Sequence, residues 1–188
     1  MRVPRIFTVA WFVMAPLLGQ TTSIRQEILT VFDGAAKRAV ALAEARPQDK
    51  FAWRPMEGVR SYGEVCMHMA GSNFLFLSYA GLKPPSGAAQ DLAAAYMKRG
   101  FELPELFAVE GAVKEKAKIV ASMKQSFDQA REFIQNVPEA DLDKPVQFFD
   151  RKTTIRGILI SMSGHLSEHL GQAIAYARVN YVAPPWSR

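Results

Sequence analysis

The chain has 188 residues, of which 49% are hydrophobic and 22% are charged. This composition suits one globular domain and excludes a largely disordered protein. The formal net charge is only +5, and so mild an excess argues against a nucleic-acid-binding protein, which needs a clustered basic face.

An apolar segment lies near the N-terminus. Its thirteen residues, Ile6–Leu18, are too few to span a bilayer of about 30 Å as a helix. Arg2 and Arg5 precede it, as in secretory signal peptides. We therefore predict a signal peptide at residues 1–19 that is cleaved on export to the periplasm or the extracellular space, and a single domain at residues 20–188 without a stable membrane span. An apolar helix packed on the core, and an uncleaved segment that holds the protein at a membrane, are the alternatives.

Apolar residues at steps of three and four predict four long helices. Their predicted ranges are 23–45, 61–81, 112–136 and 154–180. Ser23 with Gln26, and Ser61 with Glu64, have the spacing of capping boxes at the starts of the first and second helices. The pattern predicts an all-α fold, an antiparallel four-helix bundle.

Two segments break the helical pattern. Residues 82–111 contain several prolines and glycines, which predicts a long crossover between helices 2 and 3, with at most a short helix near residues 91–99. Residues 145–149 are either a short strand or a loop.

The only cysteine, Cys66, lies two residues before His68 in the second helix. That spacing turns the two side chains about 200° apart on a helix. We therefore expect a buried structural thiol and no disulfide framework.

All three histidines of the chain fall on apolar helix faces. His165 and His169 are four residues apart on the fourth helix, so their side chains share one face. Two such imidazoles can bind one divalent ion with bonds of about 2.0–2.1 Å. His68 on the second helix would be a third nitrogen ligand. The alternative is a set of core histidines bonded to neighbouring side chains, and the spacing alone leaves both open.

Residues 165–169 also have the form H-x-x-E-H of one zinc-peptidase class. Those enzymes need a carboxylate ligand well downstream, whereas Glu168 is the last acidic residue of this chain, so a zinc peptidase is disfavoured. Glu168 stays a candidate base or partner of a ligand, with a solvated helix residue as the alternative.

Gln172 and Tyr176 continue the histidine stripe by one and two turns. They are candidates for lining a pocket or orienting ligands, with ordinary packing as the alternative.

The region around the histidines resembles a known family. Residues 165–180 (HLSEHLGQAIAYARVN), followed by two prolines, resemble the C-terminal motif of the DinB/YfiT-like superfamily. Residues 51–68 resemble its W-x-P … S-x-x-E-x-x-x-H segment. The resemblance covers about residues 24–187. It implies a four-helix bundle, often a homodimer, with one divalent ion (Zn, Ni or Mn) held by His68, His165 and His169.

Characterised members of the superfamily include bacillithiol- or mycothiol-dependent transferases and a maleylpyruvate isomerase. The resemblance implies a metal-dependent enzyme of the hydrolase or thiol-transferase type that acts on a small molecule, with Glu168 and Tyr176 as candidates for catalysis. Export from the cytosol counts against thiol transfer, because low-molecular-weight thiols are scarce outside it. The alternative is a non-catalytic exported bundle, a metal-binding or stress-response module whose metal is structural or absent.

Overall fold

The computed structural model describes residues 22–187, and that part of the chain is mainly helical. Within it, the helices are α1 (Ile24–Ala45), α2 (Tyr62–Tyr79), α3 (Gln90–Met97), α4 (Leu103–Ala112), α5 (Lys116–Asn136) and α6 (Ile155–Val179). The predicted all-α class is confirmed in this broad form. The predicted signal peptide, residues 1–19, lies outside the described residues. No helix within residues 22–187 has the length and apolarity needed to cross a membrane.

Side-chain caps define where α1, α2 and α6 begin, whereas α5 begins without one. At α2 the predicted capping box is present: Ser61 Oγ accepts from the Glu64 N–H (3.3 Å), and Glu64 Oε2 accepts from the Ser61 N–H (2.7 Å). At α1, Ser23 Oγ accepts from the Gln26 N–H, and at α6, Thr154 Oγ1 accepts from the Gly157 N–H. Only half of the capping box predicted for Ser23 and Gln26 is therefore present, because the Gln26 side chain does not bond back to Ser23. The histidines of α2 and α6 are therefore placed by helices whose starts the local sequence defines.

The four long helices α1, α2, α5 and α6 each pack against two of the others. α1 and α5 run antiparallel. At one end Arg25 Nη1 donates to the Gln135 carbonyl (3.0 Å), and at the other Lys116 Nζ donates to the Glu44 carbonyl (2.6 Å). α2 and α6 are antiparallel as well. His68 contacts His169, and Phe76, which comes later in α2, contacts His165, which comes earlier in α6.

The other two neighbouring pairs run parallel. Gly63 of α2 lies next to Ile119 of α5, and two turns later in both helices the Ala70 carbonyl accepts from Ser126 Oγ (2.7 Å). α1 and α6 also run in the same direction: Ile28 and Ser163 line one cavity, and later in both helices Arg46 Nη1 donates to the Tyr176 carbonyl (3.3 Å). The predicted antiparallel arrangement is thus wrong for two of the four pairs. The long crossover explains this, since it carries the chain back so that α5 starts at the same end as α2.

The crossover between α2 and α5 contains two helices, α3 and α4, where at most one short helix was predicted. α4 begins with Pro104 in its first turn, a position where proline has no bond to lose. Gly100 has φ of +70° and makes the turn between α3 and α4. The predicted start of the third long helix at residue 112 is also wrong, because α4 ends there and α5 begins at Lys116. Both crossover helices pack against α2.

Residues 145–149 form a strand and the start of a turn, which decides between the two alternatives left by the sequence. β1 (Pro145–Phe148) pairs with β2 (Arg151–Thr154) in an antiparallel hairpin. The Phe148 ring stacks on Phe76 of α2 at 5.1 Å between centroids, and Phe76 in turn contacts His165 at 5.6 Å. The hairpin therefore covers one side of the histidine region with aromatic rings.

Candidate metal centre

The fold brings the three histidines together. His68 projects from α2, and His165 and His169 project from α6 across the antiparallel contact. Their ring centroids are 5.1 Å (His68–His165), 4.5 Å (His68–His169) and 4.4 Å (His165–His169) apart. One ring nitrogen from each lies within 4.8 Å of the others. Residues that are almost a hundred positions apart in the chain thus form a single cluster of nitrogen donors.

Burial and repulsion between the rings lower the pKa values of His165 and His169 and keep these two imidazoles neutral. The pKa of His165 is lowered to about 3, first by burial and then by the neighbouring His169 and His68. Burial is also the main cause that lowers the pKa of His169. A neutral imidazole has a free lone pair, so protons compete little with a cation at these positions near neutral pH.

His68 is held by side chains from the crossover. Its Nδ1 lies 2.9 Å from Oε1 of Glu110 on α4 and 2.8 Å from the hydroxyl of Tyr96 on α3. Glu110 is buried, and it also accepts from Arg60 Nε (2.6 Å), Arg60 Nη2 (3.0 Å) and the Tyr96 hydroxyl. Burial alone would raise the pKa of Glu110, but the hydrogen bonds from His68, Arg60 and Tyr96 outweigh it and leave the pKa lowered. The sequence analysis did not predict a role for Glu110, Tyr96 or Arg60.

His169 is held from its own helix. Its Nδ1 lies 2.8 Å from Gln172 Oε1, and Gln172 Nε2 donates to the Tyr176 hydroxyl (3.0 Å). The Tyr176 ring packs edge-on against Trp53 at 5.3 Å. Tyr176 is thus connected to His169 through two hydrogen bonds. The side chain of Glu168, on the helical turn between His165 and His169, is exposed.

A cavity of about 410 Å³ opens beside the cluster. His169, Gln172 and Glu110 form its inner wall, and Phe107 and the segment 54–64 form the rest. The charged groups in this wall are paired: Arg60 binds Glu110 and lies 4.5 Å over the Phe107 ring, and Arg54 binds Glu64 at 3.1 Å. The cavity therefore has room for a small molecule next to His169.

The donor set suits a divalent metal ion. Zinc and related ions bind imidazole nitrogen at about 2.0–2.1 Å. One ring nitrogen from each histidine lies within 4.8 Å of the others, so the three donors surround one candidate position for an ion. Since all three donors are imidazole nitrogens and the cavity lies beside them, the cluster can hold an ion that keeps a position for another ligand.

The model of the DinB superfamily matches residues 32–173 of this chain. The chain belongs to the DinB superfamily. The match includes all three histidines and confirms the resemblance seen in the sequence.

Two solved structures support the same fold. A DinB-like protein from Bacillus cereus ATCC 10987 superposes with a TM-score of 0.65 over 84% of this chain and 93% of that one, at 17% identity. A DinB-like protein from Bacillus subtilis gives a TM-score of 0.59 over 82% and 92%, at 19% identity. No curated protein matches the chain.

Proposed function

We propose that this DinB-superfamily protein is a metal-dependent enzyme, of the hydrolase or thiol-transferase type, that acts on a small molecule. The observation that carries the proposal is the cluster of three ring nitrogens from His68, His165 and His169 within 4.8 Å of one another. Its position at the wall of a cavity of about 410 Å³ supports a role toward a substrate.

A divalent ion such as Zn²⁺, Ni²⁺ or Mn²⁺ would supply Lewis-acid chemistry here and favour the deprotonated form of a bound water or thiol. Residues of the chain keep the ligands available and oriented for such an ion. The depressed pKa of His165 keeps that ring available as a ligand, and Gln172 holds His169 in one orientation. Phe107 gives the cavity an apolar wall that can bind the carbon skeleton of a substrate.

The two candidates for catalysis have different roles in this proposal. Glu168 is exposed on the helical turn between His165 and His169, and it is our candidate for exchanging protons with solvent. Tyr176 reaches His169 only through Gln172, so we assign it to positioning.

The metal content of the purified protein tests the proposal. Protein loaded with Zn²⁺, Ni²⁺ or Mn²⁺ and then desalted should carry about one divalent ion per chain, and His169→Ala should carry much less. Lys37→Ala, an exposed change on α1 far from the cluster, serves as the matched control and should bind like the wild type. Protein that stays metal-free under all three loadings would overturn the proposal.

Chelation separates an enzyme from the non-catalytic alternative. A structural ion contributes much of a fold's free energy of unfolding, whereas a catalytic ion in a preformed cluster can leave a folded protein. We expect the chelated protein to remain folded by circular dichroism. Unfolding on chelation would favour the non-catalytic metal-binding module instead.

Export and assembly belong to the same proposal. We propose that residues 1–19 are a signal peptide and that the mature protein forms a homodimer. N-terminal sequencing of protein recovered from its own host tests the first point, and light scattering of the purified protein tests the second.

A further inference from the structure

Two oxygen atoms from the crossover face the same ring nitrogen of His68. Both the Glu110 carboxylate and the Tyr96 hydroxyl lie within 2.9 Å of Nδ1. Glu110 already accepts two N–H bonds from Arg60, so it is ionised and offers only acceptor atoms. Tyr96 donates its single hydroxyl hydrogen to Glu110, so its oxygen also faces Nδ1 as an acceptor. A ring nitrogen between two acceptors must itself carry the hydrogen.

We infer that Glu110 and Tyr96 are positioning residues, which hold the proton of His68 on Nδ1 and so present its Nε2 to the metal. The inference rests on the proposed metal site and deepens it, because it assigns the crossover helices α3 and α4 a role in binding the ion. A carboxylate behind a histidine ligand fixes the tautomer and the orientation of the ring, and it raises the basicity of the ligand.

The backbone of α2 is shaped to admit the Tyr96 ring. Gly71 lies three residues after His68, on the same side of α2, and a Cβ atom built there would overlap the Tyr96 ring. Any larger residue at position 71 would push the phenol away from its place beside His68. The close approach of Tyr96 therefore depends on this glycine, independently of the hydrogen bonds.

The cluster is also well shielded, which strengthens the effect. The Glu110 side chain is fully buried and His68 is 13% exposed. Because the carboxylate is buried against the ring, its loss should be felt at His68. Arg60 is the cationic group that faces this carboxylate, and it balances the negative charge.

The tautomer can be read directly by ¹⁵N–¹H correlation of the histidine rings in metal-free full-length protein at neutral pH, with His68 assigned from a His68→Gln spectrum. The wild type should show His68 with its hydrogen on Nδ1. In Glu110→Ala the Tyr96 hydroxyl loses its acceptor and can turn its hydrogen toward Nδ1, so the hydrogen of the ring should move to Nε2. Tyr96→Phe keeps the Glu110 acceptor and should retain the wild-type tautomer.

Metal affinity gives the second readout. Zn²⁺ binding, measured by competition with a chromophoric chelator, should weaken by about 10- to 100-fold in Glu110→Ala, the range found for partners of metal ligands. Glu105→Ala is the matched control, because Glu105 lies on the same helix but is exposed and binds only Lys98 and the helix start. It should leave both the tautomer and the affinity unchanged.

The outcomes separate the two proposals. A wild-type His68 with its hydrogen on Nε2, or a Glu110→Ala spectrum with the wild-type tautomer, overturns the positioning role even if zinc binds normally. A wild type that binds no metal overturns the proposed function, while the spectrum of the metal-free protein still decides the tautomer. If circular dichroism shows that Glu110→Ala does not fold, Glu110→Met replaces it, because methionine fills more of the space but offers Nδ1 no carboxylate: the wild-type tautomer or a wild-type zinc affinity in that variant would count against the inference.

Discussion

Gln172 should tune the metal affinity of His169 by a predictable amount. In the structure it is the one side chain bonded to the His169 ring, with 2.8 Å between Nδ1 and Oε1, among the described residues. Removing such a partner of a ligand costs about 10- to 100-fold in metal affinity, or about 1.4–2.7 kcal/mol. Gln172 is half-buried and lines the cavity, so water can partly replace it. We therefore expect Gln172→Ala to fall near the tenfold end.

A short series of variants separates the contributions along this chain of bonds. Gln172→Glu keeps an acceptor for Nδ1 and should bind Zn²⁺ at least as tightly as the wild type. Tyr176→Phe removes only the bond that fixes the Gln172 amide and should cost about two- to threefold, as expected for one weak bond. Glu168→Gln, exposed on the same helix, is the control for charge and should change zinc affinity little.

The assay is competition for Zn²⁺ with a chromophoric chelator at neutral pH, on protein first stripped of metal. The expected order of affinity is Gln172→Glu and wild type above Tyr176→Phe, with Gln172→Ala lowest. The reasoning is refuted if Gln172→Ala binds within about twofold of the wild type. It is also refuted if Glu168→Gln loses as much affinity as Gln172→Ala, since the loss would then not be specific to the bond between Gln172 and His169.

Three further predictions concern stability and reactivity. The metal-free protein should lose stability as the pH falls from 6.5 toward 3. The pKa of His165 is lowered from 6.5 in the unfolded chain to about 3 in the folded protein, so between these values acid protonates the unfolded chain and favours unfolding. In urea unfolding, His165→Phe should therefore lose less stability than the wild type over that pH range. Arg46→Met should lower the free energy of unfolding by about 2–3 kcal/mol, because the buried guanidinium donates three hydrogen bonds to the carbonyls of Lys50 and Tyr176; a urea titration that finds no loss contradicts this. Burial raises the pKa of the Cys66 thiol to about 12, so iodoacetamide should modify it in urea but not in the folded protein, and rapid labelling of the native thiol would contradict its burial.

The sequence predicted the parts of the site that depend on one helix. The apolar stripe of α6 placed His165 and His169 on one face, and the Ser61–Glu64 capping box located the start of α2 within a residue. These signals are local, because they depend on the repeat of the helix and on caps at its first turn.

The parts that sequence reasoning missed depend on tertiary placement. Glu110 reaches His68 across 42 positions of the chain, and no local repeat marks such a contact. The crossover that carries Glu110 is rich in proline and glycine, which concealed α4, although a proline in the first turn is compatible with a helix. The parallel direction of α2 and α5 was missed for a related reason: an apolar stripe identifies the buried face of a helix but not the direction in which its neighbour runs.

The charges around the cluster argue for the kind of chemistry that a bound ion would support. The three donors are imidazole nitrogens, which bring no negative charge to an ion, and the acidic groups in the cavity wall are already paired, Glu110 with Arg60 and Glu64 with Arg54. A divalent ion held here would therefore keep its full charge, unlike an ion bound by carboxylates. An uncompensated dication favours hydroxide over water and thiolate over thiol as its remaining ligand. A hydrolase requires hydroxide as its nucleophile, and a thiol transferase requires thiolate. Which of the two reactions takes place would therefore depend on the molecule that the cavity binds.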